Sequence, residues 1–84
     1  MSIKVLYFAG LREALGQAEE QLEIPAGIAT VAALREHLAA RGEPWDVLER
    51  MKNLRAAVNQ AMAGPAQVVT DGDEIAFFPP VTGG

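Results

Sequence analysis

The residues best suited to chemistry stand at the carboxyl end of the chain. Two phenylalanines close an apolar stretch, Pro79 and Pro80 follow, and the sequence ends in Val81-Thr82-Gly83-Gly84. Because proline lacks an N–H and favours an extended path, the pair holds the last four residues away from the folded body. Six extended residues span roughly 20 Å, which is enough to enter the active site of another protein. We therefore predict that the reactive group is the terminal carboxyl of Gly84 and not a side chain.

A glycine terminus suits acyl transfer. A carboxylate resists nucleophilic attack because its charge repels the attacker and oxide leaves poorly, whereas an acyl adenylate has a good leaving group. Gly84 has no Cβ to crowd the carbonyl carbon, and Gly83 lets the preceding peptide enter a narrow channel. The alternative is an inert, disordered end, since glycine is common at such termini. A Gly-Gly end arises by chance with a frequency of roughly 0.5%, which favours the chemical interpretation.

The composition excludes several kinds of site. The chain has 84 residues, enough for one small domain, and contains no cysteine. Disulfides, thiolate metal sites and a cysteine nucleophile are therefore excluded. His37 is the single histidine, and an imidazole without a second ligand beside it predicts a structural, solvated side chain and no metal site.

Charge and hydropathy predict a soluble carrier. The net charge is −4, whereas proteins that bind nucleic acids or anionic membranes need a basic face. We therefore expect no nucleic acid and no membrane as partner. An acidic protein suits a basic pocket in a partner protein, because opposite charges speed the encounter. No apolar run approaches the length of a membrane span and no signal segment precedes the first strand, so a cytoplasmic location is expected.

The periodicity of the sequence predicts an α+β fold. Apolar residues alternate in the strand segments and recur at helical spacing between Thr30, a plausible N-cap, and Gly42. One main helix then packs on one face of a mixed sheet whose first and last strands pair in parallel. This is the β-grasp, or ubiquitin-like, plan: a single domain over residues 1–84, whose last strand ends at a sheet edge and continues into a flexible C-terminal tail over residues 78–84. The predicted strands cover residues 2–9, 17–24, 54–59, 61–63 and 74–78, and the predicted helices cover residues 11–15, 31–41 and 45–51.

Strand parity separates a second apolar surface from the core. In the first strand, Phe8 lies on the face that also carries Lys4, away from the more apolar face. We predict that Phe8, Met62 and Phe78 form a patch outside the helix-covered core and that this patch docks a partner. Arg12, just past the first strand, is predicted to add a polar contact at the rim. The alternative is that the three apolar side chains are plain core and that Arg12 is merely solvated.

Three segments of the chain resemble one protein family. Residues 3–9 (Ile-Lys-Val-Leu-Tyr-Phe-Ala), residues 56–60 (Ala-Ala-Val-Asn-Gln) and residues 71–84, which end in Phe-Phe-Pro-Pro-Val-Thr-Gly-Gly, are similar to the small subunits of molybdopterin synthase. These small subunits are ubiquitin-like sulfur carriers. The resemblance runs the full chain without a large insertion. Its terminal motif is specific, whereas the helical region is generic.

The resemblance implies a reaction cycle centred on Gly84. A dedicated E1-like activating enzyme adenylates the carboxyl group with ATP, and sulfur from a persulfide donor then displaces AMP and leaves a C-terminal thiocarboxylate. The large subunit of molybdopterin synthase receives the tail, with Pro79, Pro80, Val81 and Thr82 as contact residues. There the sulfur passes to precursor Z (cyclic pyranopterin monophosphate) to form the dithiolene of molybdopterin. The resemblance also implies that the chain binds no cofactor, is no catalyst by itself and works in a heterotetramer of two small and two large subunits.

The tail alone leaves other functions open. A ubiquitin-like modifier that forms isopeptide bonds with lysines relies on the same adenylation. So does a sulfur carrier of another pathway, such as thiamine thiazole synthesis. An interaction domain with an inert tail is the remaining alternative.

Overall fold

The chain folds into a mixed sheet that helices cover on one side. A computed structural model describes residues 1–80; the predicted flexible tail falls, from residue 81 on, outside the described residues. Within residues 1–80 there are five strands and three helices. The strands are β1 Ser2–Tyr7, β2 Glu19–Glu23, β3 Arg55–Val58, β4 Ala61–Ala63 and β5 Glu74–Phe78, and the helices are α1 Ala9–Leu15, α2 Val31–Ala39 and α3 Val47–Arg50.

The strand order places β5 at the centre of the sheet. The order is β2-β1-β5-β3-β4, and β1 and β5 run in parallel with Val5 opposite Ile75. The other three pairs are antiparallel. The predicted α+β, β-grasp plan with a parallel central pair is therefore confirmed. The expected exit from a sheet edge is wrong, because β5 has a paired neighbour on either side and its last residue leaves from the middle of the sheet.

The core lies between the sheet and the helices. Alternation along β1 and β5 sends Ile3, Val5, Tyr7, Ile75 and Phe77 to the helix side, where each is at most 1% exposed. Burying a large apolar side chain contributes about 1.5–3 kcal/mol, so each residue of this layer stabilises the fold. Leucines from all three helices pack against it: Leu11, Leu15, Leu34, Leu38 and Leu48.

Only β4 and β5 have the predicted bounds, and the other six elements differ from the prediction by one to two residues at one or both ends. Two of these differences have a clear local reason. β1 ends at Tyr7 and not at Ala9, because Phe8 is the N-cap of α1 and the chain turns into that helix. α2 ends at Ala39, two residues earlier than predicted, and Gly42 takes a left-handed conformation with φ 92°. At the other end of α2 the prediction is confirmed, since the Thr30 hydroxyl accepts a hydrogen bond of 3.2 Å from the N–H of the third helical residue.

A polar and aromatic cluster ties β2 to the end of α2. The Tyr7 hydroxyl donates a hydrogen bond of 2.8 Å to Oε2 of Glu20, and Nη1 of Arg41 lies 3.0 Å from the same oxygen. The Arg41 guanidinium stacks at 4.5 Å over the ring of Trp45, which meets the Tyr7 ring edge-on at 5.6 Å. The pKa of Tyr7 is raised, mainly because the phenol is buried and secondly because it donates a hydrogen bond to the Glu20 carboxylate. Trp45 also packs against the buried core and so anchors the loop between α2 and α3.

Candidate functional site

The face of the sheet away from the helices carries an apolar surface. The alternation that buries one side of β1 and β5 turns Leu6, Ala76 and Phe78 to the other side. The register then joins neighbouring strands in one row, with Leu6 opposite Ala76, Ala76 opposite Ala57, and Ala57 opposite Met62. We call this surface the open-face patch; its residues are Leu6, Phe8, Ala57, Met62, Ala76 and Phe78.

Large side chains of the open-face patch are exposed to solvent. Phe8 is 47% exposed and Met62 is 62% exposed, while Phe78 is half-buried. None of these three packs into the buried core cluster. A shallow depression of about 340 Å³ lies within the patch, with Gln60 and Glu74 among its lining residues. Contiguous apolar surface of this kind marks a site of protein contact. The side chains lie where parity places them, and their docking role stays a prediction.

The central strand brings the root of the tail to this patch. Phe78 is the last residue of β5 and lies opposite Arg55 of β3. Pro79 and Pro80 follow directly and are half-buried. Because proline offers no N–H to a ladder, sheet pairing stops there. A protein seated on the patch therefore lies beside the start of the tail. The remaining predicted site residues, Val81, Thr82, Gly83 and Gly84, lie outside the described residues.

Two arginines border the tail end of the patch. Arg12 is exposed one helical turn beyond Phe8, and Arg55 is exposed beside Phe78. Neither guanidinium forms an ion pair with another residue of the described range 1–80. At the far end of the same face, the Nζ of Lys4 is paired with a carboxylate of β2 at 3.1 Å. The rim is therefore cationic next to the tail, although the whole chain carries a charge of −4.

The β3–β4 hairpin holds Met62 in place. Asn59 and Gln60 form its two-residue turn, and both have positive φ, 51° and 72°. The Asn59 side chain donates to Oδ1 of Asp73 at 2.9 Å and accepts from the N–H of Glu74 at 3.0 Å. The pKa of Asp73 is lowered, mainly by the hydrogen bond from the backbone N–H of Thr70 and secondly by the hydrogen bond from the Asn59 side-chain amide. This small network fastens the hairpin to the start of β5.

Sequence reasoning missed part of this surface. Leu6, Ala57 and Ala76 were not predicted as site residues, and neither was Arg55. Parity alone puts Leu6 on the same face as Phe8, which was a usable signal. Ala57 and Arg55 belong to this surface because β3 lies next to β5. The alternation within a single strand does not show which other strand pairs with it.

No metal site or membrane helix accompanies the patch in the part of the chain that the structure describes. There, no group of three or more histidine or acidic side chains is placed to hold a metal ion. Nor is any helix among residues 1–80 both long and apolar enough to cross a bilayer. His37 lies half-buried in the last turn of α2.

Comparison with known proteins gives matches that cover nearly the whole chain or all of it. The model of the ThiS family matches residues 5–84. The molybdopterin synthase sulfur carrier subunit of Escherichia coli (strain K12) is 49% identical over 98% of this chain and 99% of its own length. Its namesake in Haemophilus influenzae is 46% identical over 98% and 99% of the two chains. Among solved structures, SAMP1 from Haloferax volcanii superposes with a TM-score of 0.78 at 28% identity, covering 100% of both chains. The resemblance seen in the tail motif is confirmed: the chain belongs to the ThiS family, and its curated relatives are molybdopterin synthase sulfur carrier subunits.

Proposed function

We propose that the chain is the sulfur carrier subunit of a molybdopterin synthase and that its working group is the terminal carboxyl of Gly84. The observation that carries this proposal is the position of Phe78, which ends the central strand, belongs to the open-face patch and immediately precedes Pro79. A partner on the patch lies next to the tail, and roughly 20 Å of extended chain can carry the carboxyl group into its active site. The identity of 49% to the Escherichia coli subunit supports the same function.

The first stage of the proposed cycle is loading by an E1-like activating enzyme. An oxygen of the Gly84 carboxylate attacks the α-phosphorus of ATP, the acyl adenylate forms, and pyrophosphate leaves. The terminal sulfur of a persulfide then attacks the carbonyl carbon and AMP leaves, which joins carrier and donor through an acyl disulfide. A second thiol attacks the donor's sulfur, forms a disulfide with it and releases the thiocarboxylate. Since the chain has no cysteine, both thiols belong to partner proteins.

The second stage is delivery to the large subunit. The relatives are named as subunits of a synthase, which supports a partner that holds the substrate. Phe8, Met62 and Phe78 supply the apolar contact, and Arg12 lies at its rim. The thiocarboxylate, an ionised sulfur nucleophile, attacks a carbon of precursor Z and displaces an oxygen substituent from it. Hydrolysis of the resulting thioester leaves the sulfur on the pterin and returns the carrier to its carboxylate form, so two loaded carriers supply the two sulfurs of one dithiolene. A terminal glycine fits this role because it has no side chain to obstruct two different enzymes.

The test measures the intact mass of the chain after co-expression with the activating enzyme and a sulfur source. The expected gain equals the difference between a sulfur and an oxygen atom. Deleting Gly84, or adding one residue after it, should abolish that gain while the circular dichroism spectrum stays the same. Gly27→Ala is a matched control, because a Cβ at Gly27 meets open space, and it should load normally. Loading of the truncated chain would contradict the proposed role of Gly84.

A second candidate function is protein modification. SAMP1 is a small archaeal modifier protein, and its likeness to this chain over the full length favours this alternative. Analysis of the cells used for co-expression distinguishes the two functions. A modifier appears there in conjugates that survive reducing agents and carry the chain on lysines of other proteins. A chain with an inert tail, by contrast, supports no exchange of pyrophosphate into ATP when it is mixed with the purified activating enzyme.

A further inference from the structure

A groove on the helix side of the sheet is separate from the surface described above. It encloses about 280 Å³ between the first turns of α2, α3 and the ends of β3 and β4. Its floor is one row of the sheet, in which Ala63 lies opposite Ala56 and Ala56 lies opposite Phe77. The open-face patch occupies the other side of these strands. A ligand in the groove and a protein on the patch can therefore be bound at the same time.

The floor and one wall of the groove are apolar and built from small side chains. Ala32 of α2 faces Ala56 and Ala63 of the sheet, and Leu54 closes the end. Further along α2, leucines fill the equivalent space between helix and sheet. Burying methylene groups in such a place is favourable, because it removes apolar surface from water. An aliphatic chain of a few carbons is the kind of group that this floor accommodates.

Three charged residues line the groove, and one of them, Arg35, forms a clamp between α2 and α3. Arg35 of α2 donates from Nε to the carbonyl oxygen of Leu48 at 2.6 Å and from Nη2 to that of Met51 at 3.0 Å, which ties α2 to α3. Glu36 of α2 and Glu49 of α3 line the same groove. Within residues 1–80 neither of these carboxylates takes part in an ion pair or a side-chain hydrogen bond. The rim thus carries two carboxylates against one guanidinium that already serves two carbonyl groups.

We propose that this groove binds a basic side chain, arginine or lysine, of a partner protein. The aliphatic stem lies on the alanine floor, and the cationic head lies between Glu36 and Glu49, where charge-assisted hydrogen bonds form. Charge complementarity selects this occupant, because the excess of carboxylate at the rim repels an acidic peptide or the chain's own terminal carboxylate. The contact goes beyond the proposed function: it is independent of the tail and leaves the open-face patch accessible.

The test compares three probes of similar shape and different charge on the full chain. Propylguanidinium is cationic, propylurea is neutral and butanoate is anionic, and backbone amide shifts in ¹H–¹⁵N spectra report where each one binds. Propylguanidinium should shift the amides of Ala32, Arg35 and Ala63 with a Kd on the order of 1–10 mM, as expected for so few atoms. Propylurea should bind several-fold more weakly, and butanoate should leave these amides unchanged.

Three variants separate charge from shape. Glu36→Gln with Glu49→Gln should erase the preference for propylguanidinium over propylurea. The matched control, Glu13→Gln with Glu43→Gln, makes the same change of net charge at exposed positions outside the groove and should keep the preference. Ala32→Leu fills the groove and should weaken the binding of both propylguanidinium and propylurea.

Several results would overturn the proposal. One is that propylguanidinium leaves the groove amides unshifted, and another is that butanoate binds as tightly as the cation. A third is that the shifts are confined to acidic residues elsewhere, such as those of β2. A full preference for the cation in the Glu36→Gln, Glu49→Gln variant would overturn it as well. Each of these results leaves the sulfur-carrier proposal untouched, because that proposal depends on Gly84 and the patch.

Discussion

The backbone N–H of Phe8 donates a hydrogen bond of 3.2 Å to the carbonyl oxygen of Phe77. This bond joins the turn between β1 and α1 to the strand that leads into the tail. The backbone segments that carry the exposed ring of Phe8 and the half-buried ring of Phe78 are therefore held together on the open face. The buried ring of Phe77 lies on the opposite face of the sheet. A partner that recognises the open-face patch finds the tail root at a constant position, so patch and tail act as one unit.

The two adjacent phenylalanines should differ sharply in their effect on stability. Phe77 is 1% exposed in the core, so Phe77→Ala should lower the free energy of unfolding by about 3–5 kcal/mol. Phe78→Ala removes a half-buried ring from the open face and should cost less than about 1.5 kcal/mol. Urea unfolding followed by circular dichroism measures both. Similar losses for the two variants would contradict the assignment of their faces.

Met62 should matter for binding and not for folding. Met62→Glu places a charge in an apolar contact and should weaken binding of the large subunit by about 10-fold or more, with a change in stability below about 0.5 kcal/mol. Isothermal titration calorimetry measures the affinity. Val68→Glu is the control, since Val68 is also exposed, at 56% against 62% for Met62, and does not line the patch. Equal losses of affinity in both variants would show that charge alone, and not the patch, governs docking.

The Tyr7 hydroxyl should stabilise the fold through its bond to Glu20. Tyr7→Phe keeps the ring but leaves the Glu20 carboxylate with one partner fewer, and should lower the free energy of unfolding by about 1–2 kcal/mol near neutral pH. Thermal or urea unfolding measures the loss. If Arg41 alone satisfied the carboxylate, the variant would unfold at the same urea concentration as the parent chain.

The raised pKa of Tyr7 predicts a loss of stability in alkali. A phenol whose pKa is higher in the folded than in the unfolded state contributes its full stability below the unfolded value of about 10. That contribution is lost as the pH rises above this value toward the folded pKa, because unfolding then releases a proton. The free energy of unfolding should therefore fall above pH ~10, and less steeply in Tyr7→Phe. The chain has a single tyrosine, so phenolate absorbance follows this one group, and an ordinary titration in the folded chain would contradict the prediction.

The β3–β4 turn should gain stability from glycine at one position only. Gln60 has φ 72°, a conformation that costs a residue with a side chain about 1–2 kcal/mol and that favours glycine in a two-residue turn. Gln60→Gly should therefore raise the free energy of unfolding by about 0.5–1 kcal/mol. Asn59→Gly is the matched comparison and should lower it, because the two Asn59 side-chain hydrogen bonds to Asp73 and Glu74 are lost. Equal gains from both variants would show that these bonds do not stabilise the turn.

Local sequence patterns were sufficient to predict the periodic features of this protein. Alternation in β1 and β5 separated Phe77 from Phe78, helical spacing located α2, and the Pro-Pro-Val-Thr-Gly-Gly ending indicated the sulfur-carrier family. These properties depend on residues close together along the chain, where backbone geometry repeats every 2 or about 3.6 residues. The same rule placed Phe8 and Phe78, two members of the predicted patch, on the face away from the core.

Which of these elements lie next to one another became known only from the folded structure. The central place of β5, the row that joins Met62 to Leu6, and the position of Arg55 beside Phe78 depend on strand order. The Arg35 clamp at the rim of the groove depends on how α3 packs against α2. Such contacts join residues far apart in sequence, and the net balance of burial and chain entropy over the whole domain selects them. No local pattern encodes that balance.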